Sequence, residues 1–219
     1  MHHQLAYFAR RLDRHDDAGE HARTALRLAG GLPDARALTI DCGCELAVTG
    51  CWIGRFDDAA EHAGRALALA DELRDPDRIA RSASGLALAR RYQGRFDDAL
   101  RLYQEVLGHE RRLGRPARLI RALSDTGRLW VDLRRPDEAE ALFREGLELA
   151  ERHDLPYELG FMWEGLSQCS YLRRDDDRAR HRAETALRYS EAVHDSMGVA
   201  IQCAVAAFFL DLRPGAGSR

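Results

Sequence analysis

Between Asp75 and Arg91 the apolar side chains Ile79, Ala83, Leu86, Ala87 and Ala89 recur at helical spacing, and a break follows at Gln93-Gly94. Apolar positions resume at the same spacing through Leu100, Tyr103, Val106 and Leu107, and end near Gly114. Two helices joined by a tight turn are the expected product. The same alternation predicts helix pairs over 34–53 and 56–73, 76–92 and 96–113, 116–133 and 136–153, and 156–173 and 176–194. A first pair is expected at 3–12 and 15–30, and a lone helix at 196–212. No segment alternates apolar and polar residues as a half-buried strand would, so the class is all-α.

The pairs are copies of one unit. GRFDD occurs at Gly54 to Asp58 and again at Gly94 to Asp98. Aligning the chain on that string puts Ala18, Ala59, Ala99, Ala139 and Ala179 in one column, one alanine per unit and at near-constant spacing. A second column, two helical turns further on, holds Ala25, Ala66, Val106, Gly146 and Ala186, each followed by leucine. Two columns in one register indicate stacked units, each burying its apolar face on the next. The acids Asp97 and Asp98 suit the positive end of a helix dipole. Pro136 suits a first helical position, where its missing N–H costs nothing. Gly54 and Gly94 suit left-handed caps on the helices before them.

The order of small residue, aromatic or leucine, glycine before the turn and then an acid-acid-alanine start resembles the tetratricopeptide repeat. Leu86, Ala87, Gly94, Phe96, Ala99 and Tyr103 carry the likeness in the third unit, and Trp163, Leu166, Ala179 and Ala186 in the fifth. The resemblance implies a right-handed superhelical solenoid of five helix pairs plus a C-terminal helix. It covers one repeat domain, residues 1–212, followed by a Gly- and Pro-containing tail at 213–219 expected to be disordered. The units here, at about 40 residues, are longer than the usual unit of about 34 residues. Long units of this kind are similar to those of bacterial regulators of the LuxR and maltose-regulator type and of the actinobacterial antibiotic-regulator type. They are also similar to those of peptide-pheromone receptors and kinesin light chains. No phosphate-binding loop and no helix-turn-helix stands in this sequence, which points to either an excised sensor region or a free-standing adaptor.

In such arrays the first helix of each unit lines a concave surface. The resemblance carries that role onto Asp41, Cys44, Val48, Cys51 and Trp52 in the second unit, and onto Arg81, Ser84, Leu88, Arg91 and Tyr92 in the third. It adds Arg121, Ser124, Asp125, Arg128 and Asp132 in the fourth unit, and Phe161, Glu164, Gln168, Tyr171 and Leu172 in the fifth. The candidate binding residues are Trp52, Arg81, Arg91, Tyr92, Arg121, Arg128, Glu164 and Tyr171. Guanidinium forks from neighbouring helices suit a carboxylate or phosphate, so an anionic protein or peptide ligand is expected. The alternative is a solvated face on which the arginines pair with Asp125, Asp132 and Glu164. Trp130 and Trp163 fall on packing positions.

Composition narrows the chemistry. All 33 basic residues are arginine, yet 36 acids leave a net charge of -3, so direct nucleic-acid binding is not expected. No membrane span is expected, and five cysteines in a chain with no secretory segment near Met1 suggest a reducing cytoplasm. Cys42 and Cys44 point about 200° apart on a helix, which disfavours a shared metal, so neither a metal nor a cofactor is expected. No nucleophile finds a histidine by register, so no enzyme is expected. The functional expectation is a non-catalytic protein- or peptide-binding module. Its rivals are the ligand-sensing region of a bacterial transcription regulator and, third, a helical-repeat enzyme. The helix predicted at 196–212 carries a single polar residue, Gln202, between Val199 and Leu210. Such a helix calls for cover, either a further helix outside this chain or a second copy in a homodimer.

Overall fold

A computed structural model describes residues 2–11, 14–29 and 35–193. Among them are ten helices: α1 (His2–Arg11), α2 (His15–Ala29), α3 (Arg36–Trp52), α4 (Phe56–Glu72), α5 (Pro76–Tyr92), α6 (Phe96–Leu113), α7 (Pro116–Asp132), α8 (Pro136–Arg152), α9 (Pro156–Leu172) and α10 (Asp176–Ala192). The helix limits agree closely with the predicted ones, and none of the described residues forms a strand. The helix predicted at 196–212 and the tail at 213–219 lie outside the described residues. No described helix is long and apolar enough to cross a membrane.

The turns explain why the boundaries are so regular. Gly54, Arg74, Gly94, Gly114, Arg134, Asp154 and Arg174 all have φ between 50° and 77°, the left-handed region. They are evenly spaced, one per helix, so the backbone repeats at half the sequence period. In six of the seven turns the N–H of the next residue bonds back to a carbonyl in the last helical turn, as in Arg55 to Gly50 at 2.7 Å, Arg135 to Trp130 at 2.9 Å and Asp175 to Ser170 at 3.1 Å. These bonds satisfy carbonyls that the helix leaves open. The next helix then starts on proline at Pro76, Pro116, Pro136 and Pro156. At α5 the Asp75 carboxylate also accepts from the N–H groups of Asp77 and Arg78, both at 3.1 Å.

The chain packs as two compact units, residues 1–109 and 110–219. In the first, α1, α3 and α5 form one layer, α2 packs on α1 and α3, and α4 packs on α3 and α5. In the second, α7 and α9 form the corresponding layer, α8 packs on both, and α10 packs on α9. In the first unit small residues fill the seams of α3, α4 and α5, with Ala59, Ala60 and Ala89 beside Cys51 and Ala66 and Ala70 beside Ile40 and Cys44, while α6 buries the large ring of Tyr103 with Leu102, Val106 and Leu107. The core of the second is built on one large ring, Phe143, packed with Ile120, Leu159, Met162 and Leu166. Trp130 and Trp163 lie partly buried against that cluster, on the packing positions expected of them.

Phe143 needs both neighbouring first helices to be bare at its level. A Cβ added at Gly127 of α7 would stand 2.8 Å from the ring Cζ, and one added at Gly165 of α9 would collide with the same ring. Substituting alanine at Gly165 should destabilise the second unit by about 1–3 kcal/mol, the usual result of overpacking a filled core. In a double-mutant cycle with Phe143→Leu the two losses should be clearly non-additive in urea unfolding, because the smaller side chain relieves the collision.

The turns give a second test. An L-residue in the left-handed region costs about 1–2 kcal/mol relative to its helical conformation, a cost glycine avoids. Arg134→Gly should therefore raise the unfolding midpoint, by up to about 1 kcal/mol, whereas Gly94→Ala should lower it by about 1 kcal/mol. Opposite signs at two equivalent turns, one repeat apart, are the result to look for.

Candidate binding face

The first helices carry the expected charges, and the structure shows what those charges do. In the first unit Arg81 of α5 forks onto α3: Nη1 donates to Asp41 Oδ1 at 3.0 Å and Nη2 to Glu45 Oε1 at 2.8 Å. Arg78, one turn earlier, donates to Asp41 Oδ2 at 3.4 Å and to Asp75 Oδ2 at 2.5 Å. The Asp75 carboxyl sits below its ordinary value because it accepts from the Arg78 backbone N–H and then from its guanidinium. In the second unit Arg128 of α7 donates to Glu164 Oε2 of α9 at 3.0 Å, and Gln168 donates to Glu164 Oε1 at 3.0 Å. The Arg128 guanidinium also lies 5.6 Å from the centre of the Phe161 ring.

A geometric rule underlies these pairs. Arg81 and Glu45, like Arg128 and Glu164, are separated by 36 in sequence, and Arg81 and Asp41 by 40. Neighbouring first helices bring together residues one repeat apart, or one repeat less a helical turn. For Arg121 the positions on α9 at those two separations hold Tyr157 and Phe161, neither of them acidic. Arg121 is exposed and has no ion-pair partner among the described residues.

The aromatic candidates are held at the ends of their helices. Trp52 stacks on His15 with ring centres 5.7 Å apart and planes 5° from parallel. Tyr92 stacks in the same way on Phe56 at 5.3 Å and 8°, with the Arg91 guanidinium 5.6 Å from its ring centre. Each last residue of a first helix thus covers the first residue of the preceding second helix. Both rings, and Tyr171, remain more than a third exposed.

Several expectations for this face need correction. Cys44, Cys51 and Ser124, expected in the groove, are buried, because their helices turn these small side chains onto neighbours. Cys44 Sγ lies 3.3 Å from Ser82 Oγ. Burial pushes the Cys42 thiol up to about 11 and the Cys51 thiol up to about 12, far from a reactive thiolate. Glu164 is 5 % exposed and serves as an internal acceptor. The expected cluster of four arginines is largely committed within the chain: Arg81 and Arg128 bind carboxylates and Arg91 lies over Tyr92.

The family model described as Tetratricopeptide repeat matches residues 37–109 and 79–152, overlapping copies that together cover more than half the chain. The chain belongs to the tetratricopeptide repeat family. Its sequence matches no curated protein. Among solved structures it is similar to a Signal Transduction ATPase with Numerous Domains from Pyrococcus horikoshii that has a tetratricopeptide repeat sensor, with a TM-score of 0.74 at 13 % identity over 97 % of this chain. This chain spans 33 % of that protein. A thermophilic tetratricopeptide protein of Thermus thermophilus gives a TM-score of 0.67 at 21 % identity, covering 94 % of this chain and 96 % of its own. A Rap protein complexed with Competence and Sporulation Factor gives 0.68 at 12 % identity, covering 96 % of this chain and 63 % of its own. At these identities the structural likenesses establish the fold.

Within the tetratricopeptide register, sequence reasoning missed one feature. Glu140 occupies the column of Ala60 and Leu100, and Arg182 that of Leu102 and Leu142, so two charges stand at core positions. Glu140 Oε1 accepts from Arg182 Nη2 at 2.8 Å and from Arg144 at 2.9 Å, and Oε2 accepts from Arg173 at 2.5 Å. Arg182 also donates to the Leu166 carbonyl at 2.9 Å and to Ser170 Oγ at 2.8 Å. A search for opposite charges about one repeat apart in apolar columns would have found the pair.

The pair has a pH signature. Burial alone would raise the Glu140 carboxyl, but hydrogen bonds from Arg182 and Arg173 outweigh it and hold the group below its ordinary value of 4.5. A depressed carboxyl stabilises the fold fully above its unfolded value, and the contribution is lost as pH falls through the folded value. Glu140→Gln should cost about 3 kcal/mol at pH 7 by leaving Arg182 uncompensated. It should also flatten the fall in stability below about pH 4.5, as thermal unfolding against pH would show.

Proposed function

We propose that the chain is a non-catalytic protein- or peptide-binding module of the cytoplasm whose ligand lies on the first-helix face. The residues assigned to contact are Trp52, Arg81, Arg91, Tyr92, Arg121, Arg128 and Tyr171, with Glu164 holding Arg128 in place. The observation that carries this reading is the arrangement of charge on that face. Arg81 and Arg128 are fixed by carboxylates and so present their remaining donors rigidly, while Arg121 is exposed with no ion pair among the described residues. Pre-organised guanidinium groups lose little side-chain freedom on binding and accept an acidic ligand. Exposed Trp52, Tyr92 and Tyr171 supply rigid apolar contacts of the kind that dominate binding energy. Self-association through the apolar 196–212 segment belongs to the same reading.

A second reading is favoured by the company the fold keeps. The Pyrococcus protein has a tetratricopeptide repeat sensor, and the Rap protein is complexed with Competence and Sporulation Factor. On that reading the chain is the sensing region of a bacterial transcription regulator, and an anionic or peptide effector occupies the same face. The Bacillus subtilis structure named as an aspartyl phosphate phosphatase, at a TM-score of 0.65 and 12 % identity over the whole of this chain and 61 % of its own, keeps catalysis compatible with the fold itself. The burial of Cys42, Cys44, Cys51 and Cys169, which disfavours a thiolate nucleophile among the described cysteines, supports the non-catalytic reading.

Peptides selected from a random library on the intact protein test the proposal. They should be enriched in acidic residues, and binding should weaken about tenfold in Arg121→Glu, the loss of about one charge-assisted contact. The affinity should also fall as salt rises. Selected peptides that bind Arg121→Glu as tightly as the parent would remove the first-helix face from consideration.

A further inference from the structure

We infer that the first unit carries a second, separate recognition site: a notch between the start of α2 and the α3–α4 turn, where Arg23 and Arg55 receive one carboxylate of a peptide ligand. The hollow there has a volume of about 320 Å³ and is lined by His15, Asp16, Gly19, Arg23, Ile53 and Arg55. Its repeat-equivalent hollow, lined by Phe56, Asp57, Gln93 and Arg95 among others, shows what is different about it.

At the later hollow the polar groups are engaged within the chain. Gln93 Nε2 donates to Asp57 Oδ1 at 2.6 Å and to the Phe56 carbonyl at 3.5 Å, Arg90 donates to Gln93 Oε1 at 2.8 Å, and Arg95 pairs with Asp98 at 2.5 Å. At the earlier hollow the position of Gln93 is taken by Ile53, whose side chain cannot hydrogen-bond. The position of Arg95 is taken by Arg55. Arg14, Arg95 and Arg135 each pair with the acid three residues on, Asp17, Asp98 and Glu138. Arg55 forms no such pair with Asp58, and it lines the hollow. Among the described residues neither Arg23 nor Arg55 has an ion-pair partner, and both are exposed.

Charge balance selects the ligand class. Two guanidinium groups and the Asp16 carboxylate leave one net positive charge at the notch, which a single carboxylate neutralises and a phosphate dianion would overshoot. The rim selects its neighbour: Ile53 is 38 % exposed and Trp52 43 % exposed beside the hollow, so an apolar side chain next to the carboxylate finds contact. The arginines of the notch stand on α2 and in the α3–α4 turn and are not among those of the first-helix face, with which the notch shares only Trp52.

The test is an NMR titration of the intact protein with three probes: blocked N-acetyl-Leu-Glu-amide, its Leu-Gln analogue and inorganic phosphate. The glutamate dipeptide should shift the Trp52 indole N–H and Ile53 methyl signals saturably, at millimolar concentration or about there for so small a ligand. The apparent Kd should rise at least about fivefold in the double variant Arg23→Gln with Arg55→Gln, as expected for losing a bidentate pair. Arg95→Gln, at the repeat-equivalent hollow, should leave the dipeptide-induced Trp52 and Ile53 shifts as they are in the parent. Both notch arginines are exposed, so the double variant should melt with the parent. Equal binding of the Leu-Gln analogue, parent-like binding by the double variant, or saturation by phosphate at lower concentration would each overturn the assignment.

Discussion

The left-handed turn that closes each helix is the constraint on which the remaining structure depends. Seven positions from Gly54 to Arg174 adopt it at even intervals, and in six of the turns the bond back into the helix stops elongation at the same place. Helices of equal length joined by equal turns place equivalent side chains at equivalent heights. Only then can a column such as Ala59, Ala99, Ala139 and Ala179 be buried at every step. Three of the seven positions are glycine and four are not. The fold therefore accepts local strain at Arg74, Arg134, Asp154 and Arg174 to keep the period, which shows that the period matters more than any one turn.

That equality of height also determines where charge can be neutralised. Residues separated by one repeat, or by one repeat less a turn, face each other on adjacent first helices, and the chain uses the relation in both directions. The acid comes first in Glu45 and Arg81, and the base first in Arg128 and Glu164. Gln93 and Arg173, two repeats apart, reach back in the same way to Asp57 and Asp137, at 2.6 Å in each case. Side chains left over by this rule are those whose partners one repeat away are apolar or of like charge. Exposure of Arg121 is thus a consequence of how neighbouring repeats differ, and departures from the repeat are where ligand chemistry can enter.

Much of the fold was legible in the sequence because backbone periodicity is written in small residues and in turn formers. Ala59, Ala99 and Gly94 have few other uses, so their spacing is informative, and the helix limits followed directly. The candidate face was legible only in outline. The resemblance placed Arg81 and Arg128 on the first helices, and left open whether carboxylates would claim them. It also assigned Cys44 and Cys51 to the groove, although a small side chain near the edge of a helical face is drawn into the seam between helices, where it fills space at little cost. Aromatic size misled in another way. Trp52 and Tyr92 are exposed as expected, yet each is stacked on the preceding repeat, which fixes its orientation.

The two cores show how the same register tolerates opposite solutions. Between α3 and α4 of the first unit alanines meet across the seam, and a Cβ at Gly50 would stand 3.0 Å from Ala59 Cβ, so the backbones approach closely there. In the second, Phe143 fills the layer and the adjoining positions shrink to Gly127 and Gly165. Near it Glu140 and Arg182 replace apolar partners with an ion pair whose remaining donors and acceptors are satisfied. A buried pair of this kind adds little net stability over apolar residues of equal volume, but it tolerates only one alignment of α8 with α10. A ring seated over two glycines and a four-membered charge network fix the register of the second unit, as the fork of Arg81 onto Asp41 and Glu45 fixes that of α3 and α5 in the first.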